Sequence, residues 1–101
     1  MEKLKNVTPG EILQEEFLVP MGITQYRLSK ELCIPQTRIS GIINGNRRIT
    51  ADTALRLSSF FGNSAKFWLG LQNDYDIENA TACISEIREK IFSHRAVREF
   101  A

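Results

Sequence analysis

The stretch Thr24-Gln25-Tyr26-Arg27-Leu28-Ser29-Lys30-Glu31-Leu32-Cys33-Ile34-Pro35-Gln36-Thr37-Arg38-Ile39-Ser40-Gly41-Ile42-Ile43-Asn44-Gly45-Asn46 decides the fold. Two short amphipathic helical patterns meet in it at a tight break. Leu28 and Leu32, four apart, share one helix face, and Ile39 and Ile42, three apart, share another. Cys33-Ile34-Pro35 is too short for a free loop, so the helices must pack at an angle with Ile34 as the apolar plug. Thr24 can cap the first helix through its hydroxyl. Pro35 cannot continue a helix but suits the start of one. Gly45 stands where a helix stop often needs a left-handed residue. The pattern predicts a helix-turn-helix.

The polar side of the same stretch points to DNA. Gln25 opens the first helix and Gln36 the second, and Thr37, Arg38, Gly41 and Asn44 project away from Ile39 and Ile42. Amides and guanidinium groups make paired hydrogen bonds with purine edges, and a second helix of this kind enters the major groove by its N-terminal end. Asn46, Arg47 and Arg48 follow in a loop well placed for phosphates. The plain alternative is a solvated face on a helix pair that serves only packing. Charge distribution favours DNA. The net charge is only +1, but residues 24–50 carry Arg27, Lys30, Arg38, Arg47 and Arg48 against Glu31 alone, whereas residues 51–101 carry six basic and seven acidic side chains. One basic face on a near-neutral chain fits a single defined DNA surface.

A chain of 101 residues is one domain's worth, and 43% apolar with 25% charged residues is the balance of a soluble globular protein. No apolar run is long enough for a membrane span, and the N-terminus lacks the apolar core of a signal peptide. Cys33 and Cys83 form neither a metal spacing nor a disulfide framework, so both read as thiols of a cytoplasmic protein.

The remaining segments read as helices closed by cap and stop signals. Thr8-Pro9-Gly10-Glu11 is a capping-box start, Ile12, Leu13 and Phe17 give the apolar side, and Val19-Pro20-Met21-Gly22 ends that helix. Thr50 caps a further helix with Asp52 in its first turn, and Gly62 stops it. Ser64 starts a fifth, predicted over Ala65–Tyr75 and dominated by Phe67, Trp68 and Leu71, with Trp68 read as core rather than as a ligand platform. Beyond it, Ile77, Ala80, Ile84, Ile87 and Ile91 are spaced 3, 4, 3 and 4 apart among charged residues. This narrow seam predicts a sixth helix from Ile77 to Phe92. The fold class is therefore all-α: a five-helix helix-turn-helix domain over residues 8–75, with an additional C-terminal helix and tail over 76–101.

Five blocks, taken in order, carry a family likeness: Thr8-Pro9-Gly10-Glu11, Gln25 to Leu28, Arg38 to Gly45, Ile49 to Leu57 and Phe67 to Gln72. Together they resemble the HigA-type antitoxins of the Xre and phage-repressor helix-turn-helix class, some of which carry the name virulence-associated protein I. The likeness spans residues 8–77. It implies a small dimeric DNA-binding protein encoded beside a HigB/RelE-like toxin, a ribosome-dependent messenger-RNA nuclease, which it silences while repressing its own operon. Gln25 and Gln36, eleven apart, match the phage-repressor pair. The likeness implies that Gln25 contacts a phosphate and braces Gln36, which reads a base. Three positions depart from the pattern. Cys33 stands where the turn usually has glycine, at a cost of about 1 kcal/mol. Ser29 replaces an alanine at the helix contact, and Thr8 replaces a histidine.

An enzyme is not expected. The single histidine, His94, lies in a polar tail, no glycine-rich phosphate loop follows a strand, and Glu15-Glu16 and Asp74/Asp76 read as solvated acidic faces. No cofactor or metal is implied. The expected partners are a double-stranded operator with an inverted repeat, a second copy of the chain, and the toxin. Phe67, Trp68, Leu71, Ile77, Ile84, Ile87 and Ile91 are the candidate dimer or toxin contacts. A stand-alone Xre-type repressor with no toxin needs the same DNA face and stays open.

Overall fold

The computed structural model describes residues 6–94 and is all-helical over them. Thr8 opens the first helix as expected. Its hydroxyl accepts the Glu11 N–H at 3.1 Å and the Glu11 carboxylate accepts the Thr8 N–H at 2.9 Å, which completes the capping box. Helix α1 then runs through Pro9–Ile12, Leu13–Leu18 and Val19–Met21. Its middle segment is π-helical, with the Val19 N–H bonded to the Gln14 carbonyl, five residues back. Pro20 explains the widening, because its ring crowds the carbonyl four residues earlier and it has no N–H to give. Gly22, at φ 66°, ends the helix.

Helix α2 (Gln25–Leu32) is capped by Thr24, whose hydroxyl accepts from Arg27 N–H at 3.0 Å. It stops at Cys33, which is left-handed at φ 58° and ψ 43°. The Ile34 N–H returns to the Ser29 carbonyl at 3.1 Å, closing a Schellman-type turn with Ile34 buried beneath it. Ser29 is buried at the helix contact and donates to the Tyr26 carbonyl at 2.7 Å, so its hydroxyl is satisfied locally. Helix α3 (Gln36–Ile43) begins after Pro35 and ends at Asn44, with Gly45 at φ 83°. Helix α4 (Ala51–Phe61) starts at Thr50 and stops at left-handed Gly62.

Helix α5 (Ala65–Ile84), capped by Ser64, corrects the expected boundary. It continues straight through Asp74-Tyr75-Asp76, where an end was predicted. Aspartates in a helix interior cost only about half a kcal/mol each, and neither a glycine nor a proline follows to break the hydrogen bonding. The break falls instead at the turn of Ser85 to Ile87, and α6 covers Arg88–His94. The helix expected from Ile77 to Phe92 is thus divided between the end of α5 and α6.

One core joins α1 to α5. Leu13, Leu18, Leu28, Ile39, Ile42, Ile49, Leu57 and Trp68 are all buried within it. Phe17, Phe61, Phe67 and Trp68 form its aromatic end, with the Phe17 and Trp68 rings 4.8 Å apart and tilted. Trp68 is wholly buried and its indole N–H donates to Asn63 Oδ1 at 2.8 Å. Its side chain therefore belongs to the core and offers no surface to a second chain, contrary to the contact role expected for it.

The αL turn at Cys33 is braced by Arg56, whose guanidinium donates to the Leu32 carbonyl at 2.8 Å. Replacing Cys33 by glycine removes the Cβ strain and keeps that bond. The substitution is expected to raise unfolding stability by about 0.5–1 kcal/mol and Tm by about 4 °C. Thermal and urea unfolding check this, and an unchanged or lower Tm would contradict strain at the turn.

Candidate DNA interface

Two apolar residues aim the polar face of α3. Ile39 and Ile42 are fully buried, so the opposite side of the helix faces outward, with Gln36 and Thr37 exposed at its first turn. No side chain caps that turn; the Arg38 N–H bonds the Pro35 carbonyl at 3.0 Å, which leaves the Gln36 and Thr37 N–H groups in front of the helix. Gly10 of α1 sets the depth of α3. A Cβ built there would lie 1.9 Å from the Ile42 carbonyl oxygen and 2.7 Å from Ile43 Cα, both backbone atoms. Only glycine permits this approach.

Arg38 stands one residue further along and is paired with Asp52 of α4 at 3.7 Å. Asp52 also holds Arg56 at 3.0 Å. The carboxylate read as a dipole partner is therefore also a bracket between α3, α4 and the turn at Cys33. Gln25 differs from its expected role as a brace for Gln36. Its Oε1 accepts from Ser40 Oγ at 2.8 Å, one helical turn beyond Gln36, because Ser40 faces the start of α2. The Gln25 amide NH₂ group remains a donor toward solvent.

Gly41 was expected to face DNA, but the structure makes it a seat. Its carbonyl accepts the Asn46 and Arg47 N–H groups at 2.8 and 3.1 Å, and a Cβ there would sit 3.4 Å from Arg47 Cβ. The Arg47 stem lies over Gly41, with Asn44, Asn46 and Arg47 all exposed along the loop. Arg48 is paired with Asp76 of α5 at 2.5 Å. The reading of Asp76 as a solvated acid is thus corrected. The bond from the Arg48 guanidinium, against a smaller opposing effect of burial and with help from the Gln72 amide, holds its carboxyl below the usual range. Gln72 itself is buried, accepting from the Ile49 N–H at 2.7 Å and donating to Asp76 at 3.1 Å. The positioning residues Gly10, Gln72 and Asp76 were missed. The signal for Gln72 was its place one turn after Trp68 on a core-facing stripe, where a polar group needs a partner.

Of the candidate contact residues, Leu71 packs partly against the core, while Phe67, Ile77, Ile84, Ile87 and Ile91 are 39%, 58%, 40%, 49% and 55% exposed. Among the described residues no cluster of three His, Cys, Asp or Glu could hold a metal ion, and no helix is long and apolar enough to cross a membrane.

This architecture, a buried-backed second helix with a polar first turn and a basic loop behind it, is that of a DNA-binding helix-turn-helix protein. The chain belongs to the helix-turn-helix family, whose model matches residues 14–68. Its relatives within that family include HigA antitoxins and virulence-associated protein I. Virulence-associated protein I of Dichelobacter nodosus is 49% identical over 74 residues, covering 73% of this chain and 68% of that protein. An addiction module antidote protein of the HigA family from Coxiella burnetii is 43% identical, with TM-score 0.79 over 92% of this chain and 98% of its own. The Pseudomonas aeruginosa antitoxin HigA, solved with the higBA promoter, is 35% identical with TM-score 0.81, covering 85% of this chain and 94% of its own.

The Gly10 contact gives a sharp expectation. Gly10→Ala forces α1 away from α3 and is expected to cost about 1–3 kcal/mol. Gly70→Ala, inside α5 with nothing within 4 Å of the added carbon, should cost nothing and gain about 0.5–1 kcal/mol in helix stability. Urea unfolding of the pair checks this, and equal midpoints would show that the α1–α3 approach is not tight.

Proposed function

We propose that this protein is a sequence-specific DNA-binding antitoxin that represses its own operon and neutralises a HigB/RelE-like messenger-RNA-cleaving toxin. It works in the cytoplasm by binding alone, with no catalysis and no cofactor. The observation that carries the reading is the exposed first turn of α3 on a helix whose other face is wholly buried, beside a loop with Arg47 and Arg48. The likeness to an antitoxin solved with its promoter supports it. Residues 8–75 form the DNA-binding domain, and residues 76–101 supply most of the contacts to other protein chains.

Gln36, Thr37 and Arg38 discriminate sequence, whereas Gln25, Asn44, Asn46, Arg47 and Arg48 hold phosphates and Gly41 seats Arg47. Gln36→Ala is expected to cost about 1–3 kcal/mol at one base position and to leave the others unchanged. Arg47→Ala should weaken every sequence alike and lower the salt slope by about 0.9. Binding assays on operator variants at several salt concentrations check both. A Gln36→Ala protein that ranks all variants as wild type does would remove that residue from base reading.

A twofold homodimer on an inverted repeat supplies the contact that one such motif lacks, with the two α3 helices about 34 Å apart or a multiple of it. The exposed seam of Ile77, Ile84, Ile87 and Ile91, together with Phe67 and Leu71, is the surface for the second copy, and the toxin is its competing occupant. Co-expression with the neighbouring small reading frame and light scattering on the Ile84→Glu, Ile87→Glu double variant separate them. The expected result is toxin co-purification with wild type and a monomeric variant. A variant that stays dimeric but loses the toxin assigns the seam to the toxin. A wild type that captures no product of that frame leaves a stand-alone repressor.

A further inference from the structure

We infer that Asp76, set in place by buried Gln72, positions the DNA-contacting loop: it holds Arg48 in the free protein and yields it to a phosphate on binding. The inference rests on the DNA-binding reading above. Gln72 is 95% buried, at 5% exposure, and both ends of its amide are used. Its oxygen fixes the backbone of the loop at Ile49, and its nitrogen fixes Asp76 through Oδ1. Asp76 Oδ2 then takes Arg48. Residues 48, 49, 72 and 76 thus form a closed ring of bonds between the loop and α5.

The ring has one strong half and one weak half. The Ile49–Gln72 bond is buried, so breaking it strands a buried N–H, and the Gln72–Asp76 bond beside it is part-buried. The Arg48–Asp76 pair is open, with side chains 61% and 34% exposed, and such pairs are worth little against solvent. A phosphate carries more charge and releases counterions when a guanidinium binds it. The weak half is therefore the part that exchanges, while the Gln72 half keeps the loop in place. Thr8, Asn46, Arg47 and Tyr75 line an open groove beside the pair, which gives the guanidinium room to swing.

The test uses the full-length chain, a duplex from its own promoter and a scrambled duplex, across a salt series. Arg48→Ala is expected to weaken both duplexes and to lower the salt slope by about 0.9. Asp76→Asn keeps an acceptor for Gln72 but frees Arg48, and is expected to tighten both duplexes about 2–5-fold. Asp74→Asn, exposed on the same helix, removes the same charge without touching Arg48 and should give a smaller gain. With Arg48 already replaced, Asp76→Asn should do no more than Asp74→Asn does. An unchanged salt slope for Arg48→Ala, weaker binding by Asp76→Asn, or an equal gain from Asp76→Asn without Arg48 would each overturn the exchange while DNA binding stands. A wild type that binds neither duplex would overturn the DNA reading and the exchange with it.

Discussion

Ile42 is gripped from two sides, and the rest of the molecule follows from that grip. Its side chain is sunk in the core beside Ile39 and Leu28, and its carbonyl lies against Gly10 with no room for a methyl group. A helix of eight residues has little stability of its own. Here it is held by tertiary contact, and the contact also fixes its rotation. Turning α3 by one residue would put Gln36 or Thr37 into the core unpaired, at a cost of a few kcal/mol per group. The outward set of side chains is therefore determined by the inward set.

The basic loop is fixed by a different kind of force. Apolar burial anchors Ile49, but direction comes from one hydrogen bond to Gln72, a polar group inside the core. Buried polar groups are costly when unmatched and orienting when matched. On the outer rim the same surface carries Asp52 and Asp76 among its arginines, each in an ion pair with one or two of them. These acids keep the guanidinium groups in defined places in the absence of a ligand, and they limit the positive potential that the arginines alone would present.

What could be read from the sequence was what depends on neighbours within one or two turns. Thr8, Thr24, Thr50 and Ser64 all cap helices, as their local patterns indicated, and Cys33 takes the left-handed turn that its place demands. The features that escaped depend on distant partners. Arg48 and Asp76 are 28 residues apart, and Gly10 meets Ile42 across the fold. Asp74 and Asp76 looked like a helix end because aspartate is a weak helix former. Asp76 nevertheless lies inside the helix, where Gln72 and Arg48 both bond it. The π-helical segment escaped because Pro20 acts on the turn before it, which no periodicity of apolar residues records.

If α3 and the loop behind it meet DNA as one preset surface, titrating a short duplex from the protein's own promoter into the free chain should move backbone amide NMR signals at that surface. The largest shifts are expected at residue 25, at 36–38 and at 44–48, with the core residues and α6 little changed. Shifts confined to the end of α5 and α6, or no shifts at saturating duplex, would contradict it.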